Sequence, residues 1–222
     1  MAVDGGSMNR ITLSFDNGPD PEITPAVLDV LCSRGVTAHF YVLGKRLGDP
    51  HGRRLVERAR DDGHIVGNHS FSHAVPLGQD ARPDAVEAEI AATEALLAPL
   101  VPGPKRFRPF GKSGAIGRHL LSRGAVAYLT AHGYSCILWN SVPRDWIDPA
   151  GWPARALADC AAQPHTLLVL HDIPNACLPG LAGFLDAAHA RGFELVCDVP
   201  PACAPIVDGR ATADLDDIVA PD

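Results

Sequence analysis

The chain has 222 residues, 46% of them hydrophobic, which suits one compact domain and is too short for two full domains. It carries 19 Lys and Arg against 26 Asp and Glu, a net charge of −7, so it lacks the broad basic surface that a nucleic-acid partner requires. No apolar run approaches the roughly 18 residues that span a bilayer, and we expect no membrane partner. Residues 1–9, a short leader, lack the pattern of a secretion signal, which favours a cytoplasmic location.

Short apolar runs alternate with amphipathic stretches along the chain. Strands are predicted at 11–15, 38–43, 65–66, 134–139, 166–170 and 193–196. Helices are predicted at 24–33, 53–60, 83–97, 116–131, 153–162 and 181–190. This alternation predicts a parallel sheet covered on both faces, either open or closed into a barrel. We expect a single α/β domain at 10–200 and an acidic, partly mobile tail at 201–222.

Polar residues follow four of the predicted strands. They are Asp16 and Asn17, His69 and His73, Asp145 and Trp146, and His171 and Asp172. Because the carboxyl ends of parallel strands meet at one edge, these side chains are expected to lie together. Two histidines four residues apart can reach one cation, with further ligands from elsewhere in the chain. Each cluster also has a simpler interpretation, such as an Asx turn at Asp16.

Five motifs in this order resemble the polysaccharide deacetylase family with NodB homology, also called carbohydrate esterase family 4. SFDNGP at 14–19 and GHIVGNHSFSH at 63–73 are similar to its first two motifs. FRPFG at 107–111, RDW at 144–146 and LHD at 170–172 resemble the other three. The resemblance extends over about residues 10–199. It implies a distorted (β/α) barrel of about seven parallel strands, with the site at their C-terminal ends.

The resemblance also implies a reaction, the hydrolysis of a carbon–nitrogen amide bond, usually in an N-acetyl amino sugar. Asp16 then acts as the general base, and His171 as the general acid that protonates the leaving amine. Asp145 orients and charge-stabilises His171. An arginine of the third motif keeps Asp16 ionised; Arg108 fits the local order best, with Arg106 as the alternative.

One divalent metal is part of the same implied mechanism. Its ligands are His69, His73 and Asn17, a set that suits zinc, with cobalt, nickel or iron as alternatives. The family usually has Asp where Asn17 stands, so weaker metal binding is expected here. Phe110 offers its backbone N–H to the oxyanion, and Trp146 provides a wall for the sugar ring.

Two other functions fit parts of the sequence. An allantoinase-like amidohydrolase acts on a non-sugar amide, but such relatives commonly lose the second histidine that His73 supplies here. A non-catalytic carbohydrate-binding protein is suggested by Asn17 and by Val142, which replaces an Asp of the fourth motif. The expected partner is a small N-acetylated carbohydrate or a related amide. The sequence does not set the oligomeric state.

Overall fold

The computed structural model describes residues 8–221, so most of the predicted leader and the last residue of the predicted tail lie outside the described residues. The strands are β1 (Arg10–Asp16), β2 (His39–Val42), β3 (Ile65–Asn68), β4 (Lys105–Phe107), β5 (Tyr134–Cys136), β6 (His165–His171), β7 (Glu194–Val196), β8 (Ile206–Val207) and β9 (Arg210–Ala211). The α-helices are α1 (Ile23–Cys32), α2 (Pro50–Asp61), α3 (Ala92–Leu97), α4 (Arg123–Ala131), α5 (Trp152–Ala162) and α6 (Leu178–Ala190). No helix within these residues is long and apolar enough to cross a membrane.

The first seven strands form a curled parallel sheet. Its order is β6-β1-β2-β3-β4-β5, and β7 pairs with β1. A parallel bridge between Ser141 and Leu168 brings the chain after β5 back to β6 and curls the sheet toward a barrel. The expected single-domain α/β barrel of about seven parallel strands is confirmed. Two short antiparallel strands, β8 and β9, extend the sheet beyond β5.

Apolar residues on both faces of the central strands hold the sheet in place. In β6, Leu168 and Leu170 belong to a core between the sheet and its covering helices, whereas Leu167 and Val169 belong to a second core on the other face. This is the alternation expected of a strand that is buried on both sides. The carboxyl ends of these strands are therefore fixed relative to one another, which matters because the polar residues follow them.

The segment 201–222, predicted to be an acidic and partly mobile tail, packs against the rest of the domain in the residues that the structure describes. Ile206 pairs with Cys136 of β5, and Val219 forms a bridge with Leu121. Ile206 and Ile218 are buried in the second core, while the aspartates between them are exposed. The acidic residues that suggested a tail occupy the exposed positions of this segment, whereas the buried isoleucines determine how it packs.

Tertiary contacts also change two predicted helices and add one strand to the parallel part of the sheet. The helix predicted at 116–131 begins only at Arg123, because Leu121 pairs with the C-terminal segment and Ser122 caps the helix by accepting a hydrogen bond from the Ala125 amide. The helix predicted at 83–97 contains a π-helical turn, Glu87–Ala91, before α3. Strand β4, with the sequence KRF, was not predicted.

Candidate active site

A cavity of about 210 Å³ opens at the carboxyl ends of β1, β3 and β6. Seven of the nine predicted site residues line it: Asp16, Asn17, His69, His73, Phe110, Trp146 and His171. The other two, Arg108 and Asp145, are fully buried beside it and contact Asp16 and His171. The structure thus brings together all nine residues, which come from five separate motifs.

Asp16 ends β1 and forms a buried ion pair with Arg108. The Arg108 Nη1 atom donates to Asp16 Oδ1 at 2.9 Å and to the Ser14 hydroxyl at 2.6 Å. Its other nitrogens donate to two backbone carbonyls after β5, and its guanidinium carbon lies 4.0 Å from the centre of the Tyr41 ring. Burial raises the pKa of Asp16, but the charge and hydrogen bond of Arg108, together with the charge of His171, outweigh it, so the pKa is lowered overall.

The structure also distinguishes between the two arginines of the third motif as partners of Asp16. Arg108 makes the contact with Asp16, as the sequence favoured. Arg106 instead places its Nη1 atom 3.5 Å from the carbonyl oxygen of Pro104, at the surface. Only Arg108 is thus positioned to keep Asp16 ionised.

His69 and His73 present their rings to the same cavity. The Nδ1 atom of His69 lies 2.8 Å from the backbone oxygen of Arg108, and because a carbonyl only accepts, that nitrogen carries the proton. Its Nε2 lone pair is then free to bind a cation. The centres of the two imidazole rings lie 4.9 Å apart. Burial lowers the pKa of both residues, that of His73 to about 3, which keeps the imidazoles neutral as metal ligands require.

Asn17 offers a third atom that could bind a metal, its side-chain amide oxygen. Its Oδ1 atom is buried and has no hydrogen-bond partner among the described residues, an arrangement that is costly unless a ligand completes it. Within residues 8–221, no group of three His, Cys, Asp or Glu side chains is arranged to hold a metal. A cation in this cavity would therefore need a ligand of another kind beside the two imidazoles, and the amide oxygen of Asn17 is available for it. These three donors fit a divalent cation such as zinc.

His171 and Asp145 form the second charged pair of the site. Asp145 accepts hydrogen bonds from the His171 Nδ1 atom and from the His171 backbone amide, both at 2.8 Å. Burial lowers the pKa of His171, but the hydrogen bond and charge of Asp145, with the charge of Asp16, outweigh it and raise the pKa overall. Asp16 and His171 thus face one cavity with pKa values displaced in opposite directions, as a base and an acid require.

Aromatic rings form two sides of the cavity. The Phe110 ring lies against His73, tilted by 37° and with 3.8 Å between ring centres, and the Trp146 ring meets His171 edge-on at 4.6 Å. Trp139, which the sequence analysis did not select, also lines the cavity. A side chain at Gly111 would meet the Trp139 ring at 2.3 Å, so glycine is required at that point of the loop.

Two polar residues to which the sequence analysis assigned no role lie beside the site. Ser14 accepts a hydrogen bond from Arg108 and donates one to the Leu168 backbone. Asp172 is fully buried, accepts a hydrogen bond from Thr24 at 2.5 Å, and has its pKa raised to about 7 by burial. The available signals were the position of Ser14 two residues before Asp16 and the placement of Asp172 directly after His171.

Comparison with known proteins identifies the family. The family model described as polysaccharide deacetylase matches residues 5–115. The chain is 33% identical over 205 residues to a chitooligosaccharide deacetylase of Rhizobium leguminosarum bv. trifolii, a match that covers 86% of this chain and 91% of the relative. The chain belongs to the polysaccharide deacetylase family. As a member of that family, it is a deacetylase-type hydrolase of carbon–nitrogen bonds.

Two further members of the polysaccharide deacetylase family illustrate its range. A peptidoglycan-N-acetylglucosamine deacetylase of Bacillus cereus is 29% identical over 192 residues, covering 84% of each chain. A solved structure of a family 4 acetyl xylan esterase from Clostridium thermocellum, in complex with a cobalt ion, has a TM-score of 0.67 at 26% identity. It covers 85% of this chain and 87% of that chain. The fold of this chain is thus shared with a protein that is named for a different polymer, xylan.

Proposed function

We propose that this deacetylase is metal-dependent and removes acetyl groups from N-acetyl amino sugars of short oligosaccharides. The observation that carries the proposal is the arrangement around one cavity of a carboxylate with a lowered pKa and an imidazole with a raised pKa. Beside them lie two neutral imidazoles and an unpartnered amide oxygen. A purely sugar-binding site would not require this combination of groups.

Asp16 is the base of the proposed reaction. Arg108 keeps its carboxylate ionised, so Asp16 accepts a proton from the attacking water while the water oxygen bonds to the acetyl carbon. A divalent cation held by His69, His73 and Asn17 would polarise the carbonyl and acidify the water. Developing charge on the carbonyl oxygen is met by the backbone N–H of Phe110.

His171 is the acid that completes the reaction. Its Nδ1 atom is held by Asp145, so its Nε2–H is available to the leaving nitrogen. As the carbon–nitrogen bond breaks, the proton of His171 passes to that nitrogen, which leaves as a free amine, and acetate is the second product. Trp146 packs beside His171 and forms the wall against which the sugar ring rests.

The proposed substrate class follows from the relatives and from the size of the cavity. The relatives are named for chitooligosaccharides and for peptidoglycan N-acetylglucosamine. A cavity of about 210 Å³ is smaller than typical drug-sized pockets, which suits an acetamido group and part of one sugar ring. A short soluble oligosaccharide is consistent with the cytoplasmic location, which itself stays a prediction.

The proposal is tested by measuring metal content and acetate release on the same preparation. The protein is purified without a metal-chelating tag, its metal is quantified by plasma mass spectrometry, and chitooligosaccharides of one to six units are assayed for acetate. We expect near-stoichiometric metal, release that a chelator abolishes, and recovery with zinc or cobalt. Allantoin serves as the non-sugar control and is assayed for ring opening to allantoate, because its hydrolysis releases no acetate. Sugar binding without acetate release from any substrate, even after metal is added, would contradict the proposal and favour a binding protein.

A further inference from the structure

A buried carboxylate lies behind the segment that carries the two candidate histidine ligands, residues 69–73, here called the metal loop. The carboxylate belongs to Glu89, in the π-helical turn Glu87–Ala91. The Glu89 side chain is only 4% exposed, although glutamate is rarely buried so fully unless its charge is paired. Turns of this kind are rare and are found frequently at functional sites. The placement of Glu89 therefore calls for a specific role.

The carboxylate of Glu89 accepts four hydrogen bonds, three of them from the metal loop. Its Oε2 atom accepts from the backbone amides of Phe71 at 3.0 Å and Ser72 at 2.8 Å. Its Oε1 atom accepts from the Ser72 hydroxyl at 2.7 Å and from Arg82 at 3.0 Å. Burial raises the pKa of Glu89, but these bonds outweigh it and lower the pKa overall. The charged form of Glu89 thus bridges the residues between His69 and His73.

The same π-helical turn also holds the start of the metal loop. Asn68 donates from its side-chain amide to the backbone oxygen of Ile90 at 3.0 Å. The other end of that amide accepts a hydrogen bond from Ser70 at 2.9 Å. Contacts from Glu89 and Ile90 therefore restrain both halves of the loop.

The backbone of the metal loop needs such restraint. Ser70 and His73 have φ values of 66° and 56°, in the left-handed region that residues with a Cβ rarely adopt. Unfavourable conformations of this kind persist only where the surrounding structure imposes them. The amides of Gly44 and Lys45 donate to the carbonyls of Ser70 and Phe71 on one side of the loop, and Glu89 holds its amides on the other. Loss of the bonds to Glu89 should therefore let the loop relax and change the position of His73.

We infer that Glu89 is a positioning residue whose carboxylate holds the metal loop so that His69 and His73 reach one cation. The metal part of this inference rests on the proposed function, whereas the restraint of the loop does not. Groups that orient metal ligands indirectly typically contribute 10- to 100-fold to metal affinity. Glu89→Gln tests the role because it keeps the size of the side chain but turns an NH2 group toward hydrogen-bond donors.

The first measurement is zinc affinity, determined on metal-free protein by titration against a competing chelator. We expect Glu89→Gln to weaken zinc binding by about 10- to 100-fold and to change the visible spectrum of the cobalt-loaded protein. The matched control is Glu87→Gln, which removes the same charge from an exposed position of the same turn and should change the affinity by less than about twofold. Equal zinc affinity in wild type and Glu89→Gln would overturn the inference about the metal.

The second measurement is amide hydrogen exchange at Phe71 and Ser72 in metal-free protein. Glu89→Gln should accelerate exchange at both amides, and Glu87→Gln should not. Unchanged exchange would overturn the inference even if zinc binding failed for another reason. If the wild type binds no zinc but Glu89→Gln still exchanges faster than the wild type at both amides, the result refutes the proposed function and leaves the inference about the loop intact. If Glu89→Gln does not fold, Ser72→Ala removes one of the four bonds and should weaken zinc binding in the same direction.

Discussion

The Arg108 Nη1 atom lies 2.9 Å from the Asp16 Oδ1 atom, with the Arg108 side chain fully enclosed and the Asp16 side chain 6% exposed. Neither charge has adequate access to water, so each depends on the other. Removing one partner of such a pair leaves an uncompensated buried charge.

Arg108→Met should therefore destabilise the fold by about 3–5 kcal/mol at neutral pH. The pKa of Asp16 should rise, because burial then acts without the opposing charge. Urea denaturation measures the first effect, and kcat in the folded protein measures the second. Arg106→Met is the control, because Arg106 lies at the surface away from Asp16. Similar losses in the two variants would contradict a special role for Arg108.

Asp16→Asn should lower kcat by at least about 100-fold, the usual contribution of a general base, while zinc remains bound. The reason is that Asp16 accepts the proton from water but is not one of the proposed zinc ligands. Acetate release and zinc content are measured on the same folded sample. Turnover within tenfold of wild type would exclude Asp16 as the base.

Asn17→Asp should tighten zinc binding, because a carboxylate replaces an amide oxygen that has no partner among the described residues. The left-handed backbone at this position, with a φ of 78°, tolerates Asp about as well as Asn. Competition titration gives the affinity, and Asn17→Ala should weaken it. If neither substitution changes the affinity, Asn17 is not a ligand.

Asp145→Asn should move the alkaline limb of the kcat profile to lower pH. His171 must be protonated to act as the acid, so activity is lost as pH rises through its pKa, and Asp145 is the main group that raises that pKa. The free energy of unfolding should depend on pH in the same direction. The ion pair of Asp145 and His171 contributes fully below the ordinary pKa of histidine, and its contribution declines as the pH rises through the raised pKa of His171. Activity and urea stability between pH 5 and about 9 check both effects. An unshifted alkaline limb would exclude His171 as the titrating acid.

Deleting residues 205–222 should reduce the free energy of unfolding by about 3–6 kcal/mol, since Ile206 and Ile218 are both buried. Replacing the exposed Asp214, Asp216 and Asp217 with alanine should change it by less than about 0.5 kcal/mol. Thermal and urea denaturation provide the comparison. A deletion that leaves stability unchanged would mean that this segment does not pack in solution.

Local sequence patterns predicted the elements that place the site. Strand β6 is a nearly continuous apolar run that ends in His171, whereas β1 alternates apolar residues with Thr12 and Ser14 and ends in Asp16. The position of both polar residues at the ends of predicted strands could therefore be read from the sequence. Strand β4 has only three residues, two of them basic, and is held by its neighbours in the sheet. Its sequence alone carries no periodic signal.

Non-local contacts explain the remaining differences. The start of α4 depends on Leu121 pairing with Val219, which lies 98 residues further along the chain. The support of the metal loop by Glu89 depends on a carboxylate 16 residues after His73 turning back toward it. Neither contact leaves a local pattern in the sequence, whereas the choice of Arg108 over Arg106 followed from motif order alone.

Strand β1 has pairing partners on both sides for almost all of its length. One edge pairs with β6 from Arg10 to Asp16, while the other pairs with β7 over residues 10–12 and with β2 over residues 14–16. A strand shared among three others is among the last to open when a protein fluctuates. We therefore expect Asp16, the proposed proton acceptor, to be attached to one of the slowest-exchanging parts of the molecule. Local melting of the metal loop would release the cation while leaving Asp16 and Arg108 in register, ready for metal to rebind.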